Sequence, residues 1–344
     1  MNIYDENGYL SIDAILSTGM PFTFCVGGRG TGKTYGALKY VLDNNIRFIL
    51  MRRTQAQCDM INKPEFNPFK SLERDTGVLI GTSSISKNNA AFYRQDLDDD
   101  GGRINQGAAI GYTCALSTIS SLRGFDASDV DMLIYDEFIP EAHERPLKHE
   151  GAAFLNAYET INRNRELQGR PALRALCLAN ANDLSCPIFS ELGLIDKVDK
   201  LYRKGKDYRI YEELGVAIFI IRNSPVSDKK KQTALYQLSK GTEFYDMAAS
   251  NKFAGADYEG IRSEPLQEYK CIVGVGDVYI YKHKARRVFY ACRVKTGDPP
   301  LYDFNELSLA AFRRKYPYIW FAVLEGHISF ADFYCKAKLL DIFA

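Results

Sequence analysis

The chain has 344 residues, 46% apolar and 25% charged, with a formal net charge of +1. That length and apolar content suit two domains, or one large domain with appendages, around a sizeable core. The near-neutral charge excludes a globally basic nucleic-acid binder, and the longest apolar runs, 216–221 and 318–324, are far too short to span a bilayer.

Residues 1–20 read as a short opening segment, with Ile12, Ile15 and Leu16 at helical spacing and no secretory signal. The apolar run Phe22-Thr23-Phe24-Cys25-Val26 then predicts a buried strand. It leads into Gly27-Gly28-Arg29-Gly30-Thr31-Gly32-Lys33-Thr34, which fits G-x-x-x-x-G-K-[ST] at every fixed position. Glycines let successive N–H groups of such a loop turn inward on phosphate oxygens. Lys33 reaches the β and γ phosphates, and the Thr34 hydroxyl can ligate Mg²⁺. The helix expected from Lys33 aims its positive end at the same anion. Strand, loop and helix in this order predict an ATP site formed by Gly27, Gly28, Arg29, Gly30, Thr31, Gly32, Lys33 and Thr34.

A second buried strand, Arg47-Phe48-Ile49-Leu50-Met51, ends in Arg52-Arg53. Its lack of polar alternation suits a parallel sheet covered on both faces. Short strand-like pieces follow at 77–82, 91–94 and 108–116. The acidic tip Asp96-Leu97-Asp98-Asp99-Asp100-Gly101-Gly102 reads as a solvated hairpin turn, with a metal loop as the sharper reading of its acids.

Val130-Asp131-Met132-Leu133-Ile134-Tyr135-Asp136-Glu137 describes a buried strand that delivers two carboxylates at its C-terminal end. In an open α/β sheet, ligands bind at that end. Behind a complete phosphate loop, Asp136 is the expected Mg²⁺ partner beside Thr34, and Glu137 the residue that orients the attacking water. A helix over 151–167 closes with Arg163-Asn164-Arg165-Glu166. The strand Arg174-Ala175-Leu176-Cys177-Leu178-Ala179 is capped by Asn180, a candidate γ-phosphate sensor that could equally just turn the chain.

The alternation of strand and helix across 22–200 predicts an α/β fold with a mostly parallel sheet and helices on both faces. The expected domains are a P-loop ATPase domain over 1–208, a linker or lid over 209–255, and a small β-rich α+β domain over 256–344. Between 270 and 315 stand ten Lys/Arg against four Asp/Glu, mixed with Tyr279, Tyr281, Phe289, Tyr290 and Tyr302. That composition fits a nucleic-acid platform or the charged face of a small β domain. The eight cysteines (Cys25, Cys58, Cys114, Cys177, Cys186, Cys271, Cys292, Cys335) form no C-x-x-C pair and read as reduced thiols of a soluble intracellular protein.

With both nucleotide motifs in hand, the chain resembles the DNA-packaging ATPases of phi-29-type phages, compact relatives of the terminase (ASCE P-loop) motors. The resemblance rests on Gly28-Arg29-Gly30 within the loop, Ile134-Tyr135-Asp136-Glu137-Phe138-Ile139, Arg163-Asn164-Arg165-Glu166 and Cys177-Leu178-Ala179-Asn180-Ala181. Leu122-Arg123-Gly124 and Lys240-Gly241-Thr242-Glu243-Phe244 add to it. It implies a homo-oligomeric ring, a pentamer, docked on the portal of an empty capsid in the host cytoplasm and translocating double-stranded DNA, in some members with a packaging RNA. It also implies that Arg163, or its rival Arg165, reaches a neighbouring subunit's ATP and Mg²⁺ site. An ordinary positive helix end is the alternative for both. The last domain would be a shortened RNase H-like fold without nuclease activity, since Asp277, Asp332 and Asp341 form no compelling acid cluster. A terminase large subunit with an active nuclease, and a P-loop nucleotide switch that is no motor, stand as alternatives.

Overall fold

The structure, a computed structural model, describes residues 1–122, 127–141, 144, 147–182, 184–222, 224–242, 245 and 259–343. Arg123, Gly124, Glu243 and Phe244 lie outside the described residues. The chain divides into two units, Met1–Leu192 with Lys200–Gly255 and Gly193–Asp199 with Ala256–Ala344.

The first unit runs through α1 (Ile12–Leu16), β1 (Phe22–Gly27), α2 (Lys33–Asp43), β2 (Phe48–Arg52), α3 (Gln55–Ile61), α4 (Lys70–Thr76), β3 (Leu79–Ser84), β4 (Ala90–Leu97), β5 (Arg103–Ala115) and β6 (Met132–Asp136). It continues through α5 (Glu150–Asn162), β7 (Arg174–Ala179), α6 (Pro187–Glu191), part of α7 (Ile195–Arg203), β8 (Tyr208–Tyr211), β9 (Val216–Ile221), α8 (Pro225–Lys230) and α9 (Ala234–Leu238). Its nine strands form one sheet in the order β3-β4-β5-β2-β6-β7-β1-β9-β8. The run from β5 to β9 is parallel throughout, with antiparallel strands at both edges.

Alternation along the central strands sends side chains to both faces of this sheet. On one face Cys25, Leu50, Ile134, Leu178 and Phe219 pack with Leu38 and Val41 of α2 and Ile15 of α1. On the other, Phe24 meets Phe138 and Phe189 at ring centroids 5.6 and 5.4 Å away, and Tyr135 stacks on Phe154 of α5 at 5.6 Å. The mostly parallel sheet covered on both faces follows from central strands that are apolar and buried over most of their length.

The boundary expected at 208/209 is corrected. β8 and β9 are sheet strands, and β9 pairs with β1 along its whole length, from Phe22↔Val216 to Gly27↔Ile221. All six residues of β9 are buried. Leaving them in a solvated linker would forgo about 1.5–3 kcal/mol for each large apolar side chain. The acidic tip is a hairpin turn between β4 and β5, with Asp98 accepting from the backbone N–H groups of Asp100 and Gly102.

The second unit carries β10 (Tyr269–Val275), β11 (Val278–His283), β12 (Phe289–Cys292), β13 (Leu301–Tyr302), α10 (Glu306–Lys315), α11 (Pro317–Leu324), β14 (Ile328–Phe330) and α12 (Phe333–Phe343). β10, β11 and β12 form an antiparallel meander, flanked by β13 parallel to β10 and β14 parallel to β12. Of the two readings of 270–315, the aromatic platform loses three of its five rings here. Tyr281, Tyr290 and Phe289 are buried in the unit's two apolar clusters, so they are unavailable for stacking on bases. The acids are engaged locally: Asp277 accepts from the Tyr334 hydroxyl at 2.9 Å, and Asp332 pairs with Arg293 at 2.9 Å while capping α12. Among the described residues no group of three or more His, Cys, Asp or Glu could hold a metal ion, and no helix is long and apolar enough to cross a membrane.

Candidate nucleotide site

β1 is flanked by parallel partners on both sides, so the loop leaving Gly27 emerges at the C-terminal edge of the sheet. The backbone then turns through left-handed conformations at Gly30 (φ 65°) and Gly32 (φ 87°), and α2 begins at Lys33 with Gly32 as its N-cap. Only glycine takes such angles without strain. The buried Thr31 hydroxyl donates to the Gly28 carbonyl at 3.2 Å and ties the loop to itself.

Lys33 is 8% exposed and points back along the loop. Its ammonium donates to the carbonyls of Gly27 at 3.1 Å and Gly28 at 2.7 Å, and to Asn180 Oδ1 at 3.3 Å. Burial pushes its pKa down to about 8, against the pull of the Asp136 carboxylate. A desolvated cation at the positive end of a helix is a strong attractor for an anion.

The acids come from β6, which lies between β2 and β7. Asp136 is 2% exposed, and the Thr34 hydroxyl donates to its two oxygens at 2.9 and 3.1 Å. Glu137 stands in the left-handed region (φ 60°), uncommon for a residue other than glycine. The chain re-enters the core at once: the Phe138 side chain is buried and its N–H donates to the Leu178 carbonyl at 3.2 Å. Held between a buried aspartate and a buried phenylalanine, Glu137 is half exposed at the cleft.

Two arginines without a role in the sequence reading organise this corner. Arg52 ends β2, whose register sets Met51 opposite Tyr135 and so brings Arg52 beside Asp136. Its guanidinium pairs with Asp136 at 2.8 Å and with Glu137 at 2.6 Å. Arg53 points into the protein, pairing with Glu150 at 2.6 Å and Glu144 at 2.9 Å, and Glu150 also accepts from the Tyr135 hydroxyl at 3.3 Å. The visible signal was a pair of arginines at the end of a strand otherwise apolar.

A cleft of about 350 Å³ opens over these groups, lined by Arg29, Lys33, Thr34, Asp136, Glu137 and Asn180 among others. Asn180, just past β7, thus faces the loop lysine. Arg29 forms an ion pair with Glu141 across the cleft mouth. A second cleft of about 260 Å³, with Glu137, Glu141 and Glu144 in its wall, adjoins the first.

Arg163 and Arg165 are not brought to this cleft. Arg165 is 4% exposed and donates to the carbonyls of Val130 at 2.7 Å and Ser128 at 3.3 Å, at the foot of β6. Its expected catalytic role is corrected: it is pinned under the strand that carries the acids. From Val130 to Asp136 the strand spans about 20 Å at roughly 3.3 Å per residue. Arg163 therefore sits at the sheet edge opposite the loop, exposed and left-handed (φ 41°) at the C-terminus of α5.

Residues 4–275 match the family of podovirus DNA encapsidation proteins (Gp16). The DNA packaging protein of Bacillus phage phi29 is 27% identical over 257 residues, covering 73% of this chain. That of Bacillus phage B103 is 28% identical over 249 residues, covering 71%. In both cases the match spans 66% of the relative's length. The solved bacteriophage phi-29 genome packaging motor assembly superposes with a TM-score of 0.65 at 18% identity, covering 97% of this chain and 98% of that one. The phi-28 gp11 DNA packaging motor gives 0.63 at 18%, with the same coverage. These likenesses show a shared fold over nearly the whole chain.

Proposed function

Because this chain belongs to the podovirus DNA encapsidation protein (Gp16) family, we propose that it is the ATP-hydrolysing subunit of a motor that drives double-stranded DNA into a preformed capsid. One observation carries the reading. The Thr34 hydroxyl and the buried Asp136 carboxylate converge to 2.9 Å beside Lys33, so the two halves of a nucleotide site, far apart in the chain, meet.

Gly27 to Thr34 wrap the triphosphate, with Lys33 on its outer phosphates. The paired oxygens of Thr34 and Asp136 fit Mg²⁺, which prefers hydroxyl, carboxylate and water ligands. Bound there, the ion would offset charge on the phosphates. Glu137, at the cleft wall, orients the water for in-line attack and accepts its proton. Asn180 lies where it can report loss of the terminal phosphate to β7. Arg52 shares its charge between both acids, so Glu137 must exchange that partner for water before it acts.

The position of Arg163 supports a role in trans. It lies near the foot of the strand that carries the acids, a strand's length of about 20 Å from them, so the phosphates it serves are those of another copy. An arginine inserted this way stabilises charge on the transferring group by about 10³–10⁵ in rate. The ring size, the portal contact and any packaging RNA rest on family likeness. The engaged states of Asp277 and Asp332 support a second unit without nuclease activity.

The test is ATP turnover measured alone, with long double-stranded DNA, and with DNA plus empty capsids. Stimulation requiring both is expected, and Glu137→Gln should abolish turnover while sparing ATP binding. Wild-type protein that binds ATP yet shows no turnover with DNA and capsids would favour a nucleotide switch. Cutting of plasmid in Mn²⁺ that depends on Asp277 would favour an active nuclease.

A further inference from the structure

A second lysine reaches the phosphate loop from a part of the chain that no motif marks. Lys230 is the last residue of α8, and its ammonium donates to the Arg29 carbonyl at 2.6 Å. The contact is intimate. A Cβ added to Gly30 would lie 1.9 Å from the Lys230 Nζ, so the ammonium occupies the space that a side chain on Gly30 would take. Burial lowers the Lys230 pKa, and its charge is felt by Lys33, whose own pKa it helps to lower. Two like charges are thus held on one loop, an arrangement that is costly unless an anion joins them.

The helix carrying Lys230 is braced to the loop by a separate path. Ser224, just before α8, donates to the Gly8 carbonyl at 2.9 Å. Two residues on, Leu10 N–H donates to the Thr31 carbonyl at 3.0 Å, inside the loop itself. At its other side α8 follows β9, which ends at Ile221 against Gly27. Both ends of the phosphate loop are therefore tied to the start of α8, and the Lys230 ammonium closes the circuit on the middle.

We infer that Lys230 is a phosphate-contacting residue of this site: its ammonium leaves the Arg29 carbonyl for the terminal phosphate of a bound nucleoside triphosphate and draws α8 onto the loop. The inference rests on the nucleotide-site reading above and deepens it. A diphosphate leaves the ammonium on its carbonyl, so α8 differs between the two nucleotide states. A motor needs such a difference in the stretch of chain that leads out of its ATPase core. A simple lysine–carbonyl tether would give no difference between nucleotides.

The experiment uses the full chain and two fluorescent nucleotides, a non-hydrolysable ATP analogue and ADP. Lys230→Gln keeps a donor for the Arg29 carbonyl, hence the fold, while removing the charge. It should weaken the ATP analogue about tenfold, the order expected for one charge-assisted hydrogen bond, and ADP by less than about twofold. Lys230→Arg should restore most of the loss. In hydrogen exchange, the ATP analogue should protect residues 225–231 in the wild type and fail to do so in Lys230→Gln. Equal losses for both nucleotides, or unchanged affinity for the ATP analogue, would overturn the inference while leaving the nucleotide site intact. Wild-type chain that binds neither nucleotide would overturn the site reading, and Lys230 with it.

Discussion

The Arg52 guanidinium lies 2.6 Å from the Glu137 carboxylate, and its other arm reaches the buried Asp136 at 2.8 Å. One planar cation thus holds both acids at the end of β6. Arg52→Gln should leave Asp136 short of a counter-charge in the interior and cost roughly 3 kcal/mol of stability. Arg52→Lys should recover little, because a point charge cannot span both carboxylates. Urea denaturation measures this, and a loss of under about 0.5 kcal/mol for the glutamine variant would refute it.

Arg165 and Arg163 should separate cleanly under alanine substitution. Arg165→Ala leaves the Val130 and Ser128 carbonyls without that donor and should cost about 2–3 kcal/mol in a denaturant titration. Arg163→Ala should stay within about 0.5 kcal/mol of wild type, yet, if it acts in trans as proposed, lower ATP turnover by roughly 10³-fold. The reverse pattern would assign the trans role to Arg165.

Lys33 makes nucleotide binding sensitive to alkaline pH. Folding lowers its pKa from 10.5 to about 8. Between those values the unfolded chain binds more protons than the folded one, so this group makes stability rise with pH across that window. Binding runs the other way. A phosphate needs the charged amine, so affinity should fall as pH rises through about 8, with a proton taken up on binding. Calorimetry in buffers of different ionisation enthalpy reads that uptake. A flat affinity from neutral pH to about pH 9 with no uptake would contradict it.

Native-state alkylation should spare almost every thiol. Seven cysteines are buried and Cys271 alone is of intermediate exposure. Burial raises the Cys271 pKa, so even this thiol should react slowly near neutral pH. Mass spectrometry after brief treatment with an alkylating reagent should find label at Cys271 before any other site. Early labelling of Cys25 or Cys177, which lie in β1 and β7, would mean that the sheet opens.

Much of the first unit was legible because its strands are short, apolar and separated by helices, the pattern of a covered parallel sheet. β9 shows the limit: its strand is legible in the sequence, its place in the central sheet is not. Val216–Ile221 is as apolar as β1, but it follows a polar stretch and precedes a lysine run, so composition assigned it to a linker. The tyrosines of the second unit misled for a related reason. Tyr281 and Tyr290 stand among lysines and arginines in sequence, but strand alternation turns the aromatic rings inward.

The loop from Gly27 to Thr34 and the acids Asp136 and Glu137 were determined by sequence alone. Each belongs to a contiguous stretch whose backbone demands those residue types: glycines for the turns, an apolar run before the carboxylates. The partners of the cations were decided only by tertiary structure. Whether an arginine or lysine meets a carboxylate, a carbonyl or water depends on which strands lie side by side. Arg52 holds the acids because β2 pairs with β6, and Arg165 is buried because α5 returns under the foot of β6. Lys230 touches the phosphate loop because β9 pairs with β1, and a charged side chain is cheap to leave in water until such pairing brings it a partner.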